Sequence, residues 1–282
     1  MEQAFHPEPL LEVRDLEVTY ITDKGDFTAV DRVSFDIGKS EIFGLAGESG
    51  CGKSTIAFAI NRLHKPPALI TNGQIRFQNQ DLLPLSDRAM GAIRWKDIAM
   101  VFQSAMNSLN PVLPVREQFC DVMRHHLGYT QAQAVAKAEK LLQLVNIPPE
   151  RLSDYPHQFS GGMRQRLVIA IALSLNPKLI IMDEPTTALD VVVQREILQQ
   201  IYQLRSEFDF SILFITHDLA LMTQLCDRIA VMRQGQIVEV NTARAIRENP
   251  QHAYTQQLWA SFPDIHHLEA TPSHINPEGC NA

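Results

Sequence analysis

The rhythm of hydrophobic and polar positions changes several times along the chain, and each change marks an element. Leu10 to Val13 and Leu16 to Tyr20 mix β-forming with polar residues, and Thr22-Asp23-Lys24-Gly25-Asp26 then supplies a turn. Val30 to Ile37 alternates, with Val33, Phe35 and Ile37 on one face. Glu41 to Ala46 is short and mainly apolar, as suits a strand in a covered sheet. It enters a glycine-rich turn, after which Ser54 to Leu63 is expected as a helix with Ile56, Ala59, Ile60 and Leu63 in one stripe. Gly73 to Phe77 and Asp97 to Phe102 are further expected strands. From Val115 to about Val145 the pattern turns helical, Val135, Ala138, Leu141, Leu142 and Val145 recurring every three or four residues. Pro148, Pro149 and Pro156 interrupt it before another helix opens near Gly162 and runs to about Leu175. Two short apolar strands, Leu179 to Met182 and Ser211 to Ile215, flank a helix from about Val191 to Arg205 that turns Val192, Ile197, Ile201 and Leu204 inward. Ala230 to Met232 and Gln236 to Val240, around Gly235, read as a hairpin.

Strands alternating with helices of this length imply an α/β fold with a mostly parallel sheet. Residues 104–165 form a helical insertion in that reading, and the Pro-, His- and Asn-rich residues 261–282 a mobile tail. No repeat is evident. The apolar runs are short, Leu167 to Leu173 ending at Ser174, whereas a spanning helix needs roughly 20 apolar residues. Work at a membrane would therefore require another protein to hold the chain there. No basic segment followed by an apolar run opens the sequence, so no secretory signal is expected.

Composition narrows the function classes. The 282 residues are 45% hydrophobic and 20% charged, which argues against disorder. With 25 Lys and Arg against 32 Asp and Glu, the net charge of -7 disfavours a nucleic-acid binder working through a broad basic face. Cysteines 51, 120, 226 and 280 are widely spaced and form no C-x-x-C pair, which fits a reducing compartment better than a disulfide framework or structural zinc.

The strongest local signal is Gly47-Glu48-Ser49-Gly50-Cys51-Gly52-Lys53-Ser54-Thr55, which fits G-x-x-x-x-G-K-[ST] between an expected strand and an expected helix. Glycines at 47, 50 and 52 let backbone N–H groups converge on phosphate oxygens. The helix start adds unpaired N–H groups and a positive dipole end. Lys53 can reach the β- and γ-phosphates, and the Ser54 hydroxyl can ligate Mg²⁺. Cys51 sits within the loop, where a thiol modifier would block nucleotide.

Asp183 ends an apolar strand and can reach the magnesium, while Glu184 is placed to polarise an attacking water. Adjacent residues of a continuing strand point oppositely, so the two carboxylates need not do the same work. Ser160-Gly161-Gly162 offers a second anion-binding helix start: two such starts in one domain could hold two phosphates, or face one another across a dimer. Weaker single-residue candidates are Gln103 for a metal or water at the edge of the insertion, His217 for a γ-phosphate contact, Asp190 as a helix cap and Tyr20 for stacking on a base.

As a set these residues resemble an ABC transporter ATPase subunit, of the branch that serves oligopeptide, dipeptide and nickel importers. Walker A matches at Gly47 to Thr55 and Walker B at Leu179 to Glu184. The family signature L-S-G-G-Q corresponds to Phe159-Ser160-Gly161-Gly162-Met163, with Phe for Leu and Met for Gln. By resemblance Gln103 falls at the Q-loop facing the membrane subunits, Thr187-Ala188-Leu189-Asp190 at the D-loop, His217 at the switch histidine, and Tyr20 at the adenine-stacking aromatic. Asn249 to Thr255 is similar to the branch's N-P-x-H-P-Y-T segment, with Ala253 replacing proline. Many members carry a cysteine-rich tail, which in some holds an iron–sulfur cluster. Cys280 alone cannot make a four-cysteine cluster, so none is expected from this chain.

The resemblance implies a P-loop NTPase core with an N-terminal antiparallel β-subdomain and an inserted α-helical subdomain. Residues 1–260 would be a single nucleotide-binding domain, with 10–103 and 166–245 as the core and 104–165 as the insertion. It further implies that two ATPase subunits, a heterodimer by preference with a homodimer as the alternative, sandwich ATP and Mg²⁺ between Lys53 of one and Ser160-Gly161-Gly162 of the other. The partners implied are transmembrane permease subunits and, indirectly, an extracellular substrate-binding protein, with the chain peripheral on the cytoplasmic face of a bacterial or archaeal membrane. Peptide is the expected cargo, with nickel or an oligosaccharide as alternatives. His252, His266, His267 and His274 are too irregularly spaced to argue for nickel. A soluble ABC ATPase acting on nucleic acid or ribosomes is disfavoured by the acidic balance, the lack of a sustained heptad and the single motif set. A non-enzymatic regulatory subunit is disfavoured because Lys53, Glu184 and His217 are all present.

Overall fold

A computed structural model describes residues 8–102, 108–186 and 189–261. Its centre is a six-stranded sheet in the order β10-β9-β3-β8-β7-β6. Here β3 is Ile42–Ala46, β6 Ile98–Val101, β7 Leu179–Asp183, β8 Ser211–Ile215, β9 Arg228–Arg233 and β10 Gln236–Thr242. Every neighbouring pair is parallel except β9 with β10, the expected hairpin. Both faces are covered, so β3, β7 and β8 are buried at every residue, which is why they read as unbroken apolar runs.

A second, antiparallel sheet has the order β2-β1-β4-β5, with β1 at Leu11–Tyr20, β2 at Phe27–Ile37, β4 at Ala68–Phe77 and β5 at Gln80–Asp81. Alternation along the strands divides the core in two. Ile42, Ile180, Ile212 and Phe214 face the helices. Phe43, Leu45, Ile181 and Leu213 face the second sheet. A clamp joins the sheets there. Phe35 of β2 stacks on Phe43 of β3, centroids 5.2 Å apart. The Arg228 guanidinium lies 5.3 Å over the Phe43 ring and pairs with the buried Asp36 and Glu41, at 3.3 Å each.

Several expectations shift. The helix after the glycine turn is Lys53–Ile60, capped at Asn61, so Leu63 lies beyond it and is exposed. The stretch from Val115 to Val145 is two helices, Val115–Leu127 and Gln131–Leu144, parted at Gly128 (φ 66°) and restarted by a capping box between Thr130 and Gln133. In the helix Val191–Phe208, Ile197, Ile201 and Leu204 are buried, but Val192 in its first turn is 69% exposed. The short helices Asp87–Ile93, Leu219–Leu225, Ala243–Glu248 and Ala253–Ala260 have no counterpart in the sequence pattern. The expected tail beyond Ser261 lies outside the described residues.

Candidate nucleotide site at the carboxyl ends of the central strands

The carboxyl ends of β3, β8 and β7, adjacent in the sheet, converge on one site, the usual ligand position in an open α/β sheet. β3 runs into the glycine turn and the helix Lys53–Ile60. Gly52 caps that helix at φ 107°, and a Cβ there would stand 2.4 Å from the Ala29 carbonyl oxygen, so the turn admits no side chain at this position. Lys53 is 94% buried by its surroundings, at 6% exposure, and its Nζ donates to the carbonyls of Gly47 (2.7 Å) and Glu48 (2.8 Å). Cys51 is buried beneath the loop with its Sγ 3.6 Å from Nζ.

Ser54 Oγ donates to Asp183 Oδ1 at 3.0 Å. Asp183 is buried. Its carboxyl is pushed above the ordinary range by burial first and also by the Glu184 charge, against the Ser54 hydrogen bond and Lys53. Glu184 does not continue the strand. It adopts a left-handed φ of 48°, and its N–H donates to the Ile215 carbonyl at 2.9 Å. The divergence of the two carboxylates therefore comes from this turn and not from the strand pleat. A non-glycine residue there costs roughly 1–2 kcal/mol, strain of a kind that collects at functional sites. His217 follows β8, and its Nδ1 lies 3.0 and 3.1 Å from the two Glu184 carboxylate oxygens.

A cavity of about 350 Å³ opens over the loop, lined by Ser49, Gly50, Gly52, Lys53, Ser54, Thr55, Glu184, Tyr20, Phe27 and Ala29. Phe27 is a cavity residue that the sequence motifs do not mark. It pairs with Tyr20 across β1 and β2, and their rings lie 6.5 Å apart at the cavity edge. Its only sequence signal is an aromatic immediately after a turn.

Ser160, Gly161, Gly162 and Asp190 do not line this cavity. Ser160 Oγ caps the helix Gly161–Leu173 by accepting from Met163 N at 3.3 Å. Asp190 caps Val191–Phe208 by accepting from Val193 N at 3.0 Å. The two helix starts are packed closely, since a Cβ on Gly162 would stand 2.6 Å from Val193 Cγ1. Gln103, Thr187 and Ala188 lie outside the described residues. Among the described residues no cluster of three His, Cys, Asp or Glu forms a metal site, and no helix is long and apolar enough to cross a membrane.

The family described as "ABC transporter" matches residues 30–187. The chain is 47% identical to the oligopeptide transport ATP-binding protein OppD of Bacillus subtilis, over 91% of this chain and 72% of that protein. It is 44% identical to the dipeptide transport ATP-binding protein DppD of Haemophilus influenzae, over 91% and 78%. Among solved structures, a post-hydrolysis dimer of the ATP-binding cassette MJ0796 bound to ADP and Pi superposes with a TM-score of 0.73 at 27% identity, covering 83% of this chain and 99% of that one. A motif order, a fold and a family match thus converge, and the chain belongs to the ABC transporter family as one of its ATP-hydrolysing subunits.

Proposed function

We propose that the chain couples ATP hydrolysis to peptide import as one of two ATPase subunits closing over nucleotide. One observation carries this reading: the cavity holding Lys53, Ser54 and Glu184 excludes Ser160-Gly161-Gly162. Each chain then offers one phosphate loop and one separate anion-binding helix start, and two chains complete each other. The dimeric MJ0796 cassette lends support by its likeness.

In this reading Gly47, Ser49, Gly50, Cys51, Gly52, Lys53, Ser54 and Thr55 bind phosphates through backbone N–H groups, the ammonium and hydroxyls. Tyr20, with Phe27, takes the base. A hydroxyl and a carboxylate 3.0 Å apart, Ser54 and Asp183, are the oxygen donors a magnesium ion takes, and Gln103 is assigned to the same ion. Bound there, the ion would neutralise charge on the transferred phosphoryl. Glu184 accepts the proton of the attacking water, and His217 holds the Glu184 carboxylate in place. Ser160, Gly161, Gly162 and Asp190 face the nucleotide of the second subunit. The helix dipole at Ser160 then helps hold the pair closed, and loss of the γ-phosphate releases it.

The domain reading follows: residues 1–260 as one nucleotide-binding unit, with 104–165 as the helical insertion that reports closure through Gln103 to transmembrane permease subunits. Those subunits hold the chain peripherally at the cytoplasmic face. The second ATPase is a related chain rather than a copy, and an extracellular binding protein delivers the peptide. Peptide cargo is supported by the oligopeptide and dipeptide transport roles of the OppD and DppD relatives. The test is uptake by the purified assembly in vesicles. ATP-dependent accumulation of a labelled oligopeptide, abolished by Glu184→Gln, is expected. Uptake of nickel or an oligosaccharide instead would overturn the cargo, and uptake indifferent to Glu184 would overturn the coupling.

A further inference from the structure

The short helical turn Pro149–Ser153 places one guanidinium against the start of the helix Gly161–Leu173. Arg151 Nε donates to Asp154 Oδ2 at 2.8 Å, and Nη2 donates to the Gln158 carbonyl at 2.9 Å. Nη1 lies 3.6 Å from Met163 Sδ. A face of the same group covers the Phe159 ring, 4.2 Å from its centre. Phe159 is 4% exposed, so its ring is held by the core beneath it. Asp154 is tied down in turn, because its carbonyl accepts the Val115 N–H at 2.9 Å, where the helix Val115–Leu127 begins.

The two side chains that the guanidinium touches, Phe159 and Met163, stand on either side of Ser160-Gly161-Gly162. They are also the two positions at which this chain departs from L-S-G-G-Q. An aromatic face and a thioether sulfur suit a planar cation that can stack and donate in several directions at once, which a lysine ammonium cannot reproduce. Gly161 and Gly162 have no side chains with which to set the direction of the helix start, so its aim depends on what holds the residues around them. Arg151 lines no part of the cavity over Lys53. Its contacts therefore bear on the helix start and not on the phosphate loop of the same chain.

We propose that Arg151 is a positioning residue that, through Phe159 and Met163, aims the Ser160-Gly161-Gly162 helix start at the nucleotide of the second subunit. The proposal rests on the two-subunit reading given above and names what sets the geometry of its signature half. Arg151→Lys keeps the charge beside Asp154 and removes the stacked, forked contact; Phe159→Leu removes the ring and keeps an apolar side chain in the core. Misplacing a group by about 1 Å at a reacting centre costs up to about 10²-fold. In the purified assembly, assayed well below the melting temperature of every variant, each substitution should lower ATP turnover by about 10- to 100-fold. The ATP dissociation constant of the full chain alone should not change. The double variant should be no slower than the slower single one, because both substitutions break the same contact. Unchanged turnover in Arg151→Lys overturns the proposal. So does a raised dissociation constant, which would make Arg151 a general fold contact, and so do losses that multiply in the double variant. Ser160→Arg, measured alongside, separates the two readings. Turnover retained in Ser160→Arg removes the role of this helix start and the inference with it, whereas turnover lost there and kept in Arg151→Lys removes the inference alone.

Discussion

His217 Nδ1 sits within 3.1 Å of both oxygens of the Glu184 carboxylate, so one imidazole bridges the whole carboxylate group. Glu184 leaves the strand through a left-handed turn, and this contact helps hold its carboxylate there. Replacing Glu184 with Gln keeps the shape and removes the proton acceptor, which should slow steady-state hydrolysis by about 10²- to 10⁴-fold. ATP should still bind and should then trap a dimer visible by size exclusion. His217→Ala, which removes this contact with the carboxylate, should also lose turnover without losing ATP affinity. Normal turnover in Glu184→Gln would remove Glu184 from the proposed role.

The raised Asp183 carboxyl has a consequence for stability. A native pKa above the ordinary 3.8 means that the folded chain holds this proton more tightly than the unfolded chain. Stability therefore falls as pH rises from 3.8 through the raised value, and the deficit persists above it. Asp183→Asn removes the deficit. Without nucleotide, the variant should melt higher at neutral pH, by about 2 °C. The gap should shrink as pH is lowered toward the ordinary carboxyl range, and ATP turnover should be lost. Calorimetry across pH checks the sign, and a lower melting point at neutral pH would refute the burial argument.

Tyr20 and Phe27 share the cavity rim. Base stacking on an aromatic ring is worth about 1–3 kcal/mol, so Tyr20→Ala should raise the KM for ATP about tenfold, and Phe27→Ala should raise it by less. Inhibition by tripolyphosphate, which has no base to stack, should be the same in both variants. If it weakens in parallel, the rings support the loop and do not bind the base.

The helix starts at Gly162 and Val193 are in contact. Gly162→Ala places a methyl 2.6 Å from Val193 Cγ1, and overpacking of this kind costs about 1–3 kcal/mol. Thermal unfolding should show the loss, and Val193→Ala in the same chain should restore most of it. Failure of that rescue would mean that Gly162 is required for a reason other than room.

The phosphate loop and Asp183 are legible in the sequence because their geometry is set locally, by glycines at positive φ and by strands buried on both faces. The mostly parallel sheet follows from the same runs. Phe27 was not legible, because its place depends on a cross-strand register with Tyr20 that no local pattern encodes. The helical stretch after Val115 reads as continuous because apolar spacing persists across Gly128, while the break is made by backbone conformation. Val192 fits the helical stripe, but it lies in the first turn, ahead of the point where the helix meets the core. Asn249 to Thr255 is recognisable as a motif, but its seat depends on the Glu239 carboxylate, which accepts the Gln251 and His252 N–H groups.

The strand β2 serves two distant needs. One end brings Phe27 beside Tyr20, and the other, through Phe35 and Asp36, is clamped to β3 and Arg228. Since β3 leads directly into the turn at Lys53, the aromatic rim and the ammonium are set on a common rigid gauge. In the proposed binding mode a nucleotide is then sized rather than wrapped, and a nucleoside without phosphates that satisfies the aromatic end falls short at the other.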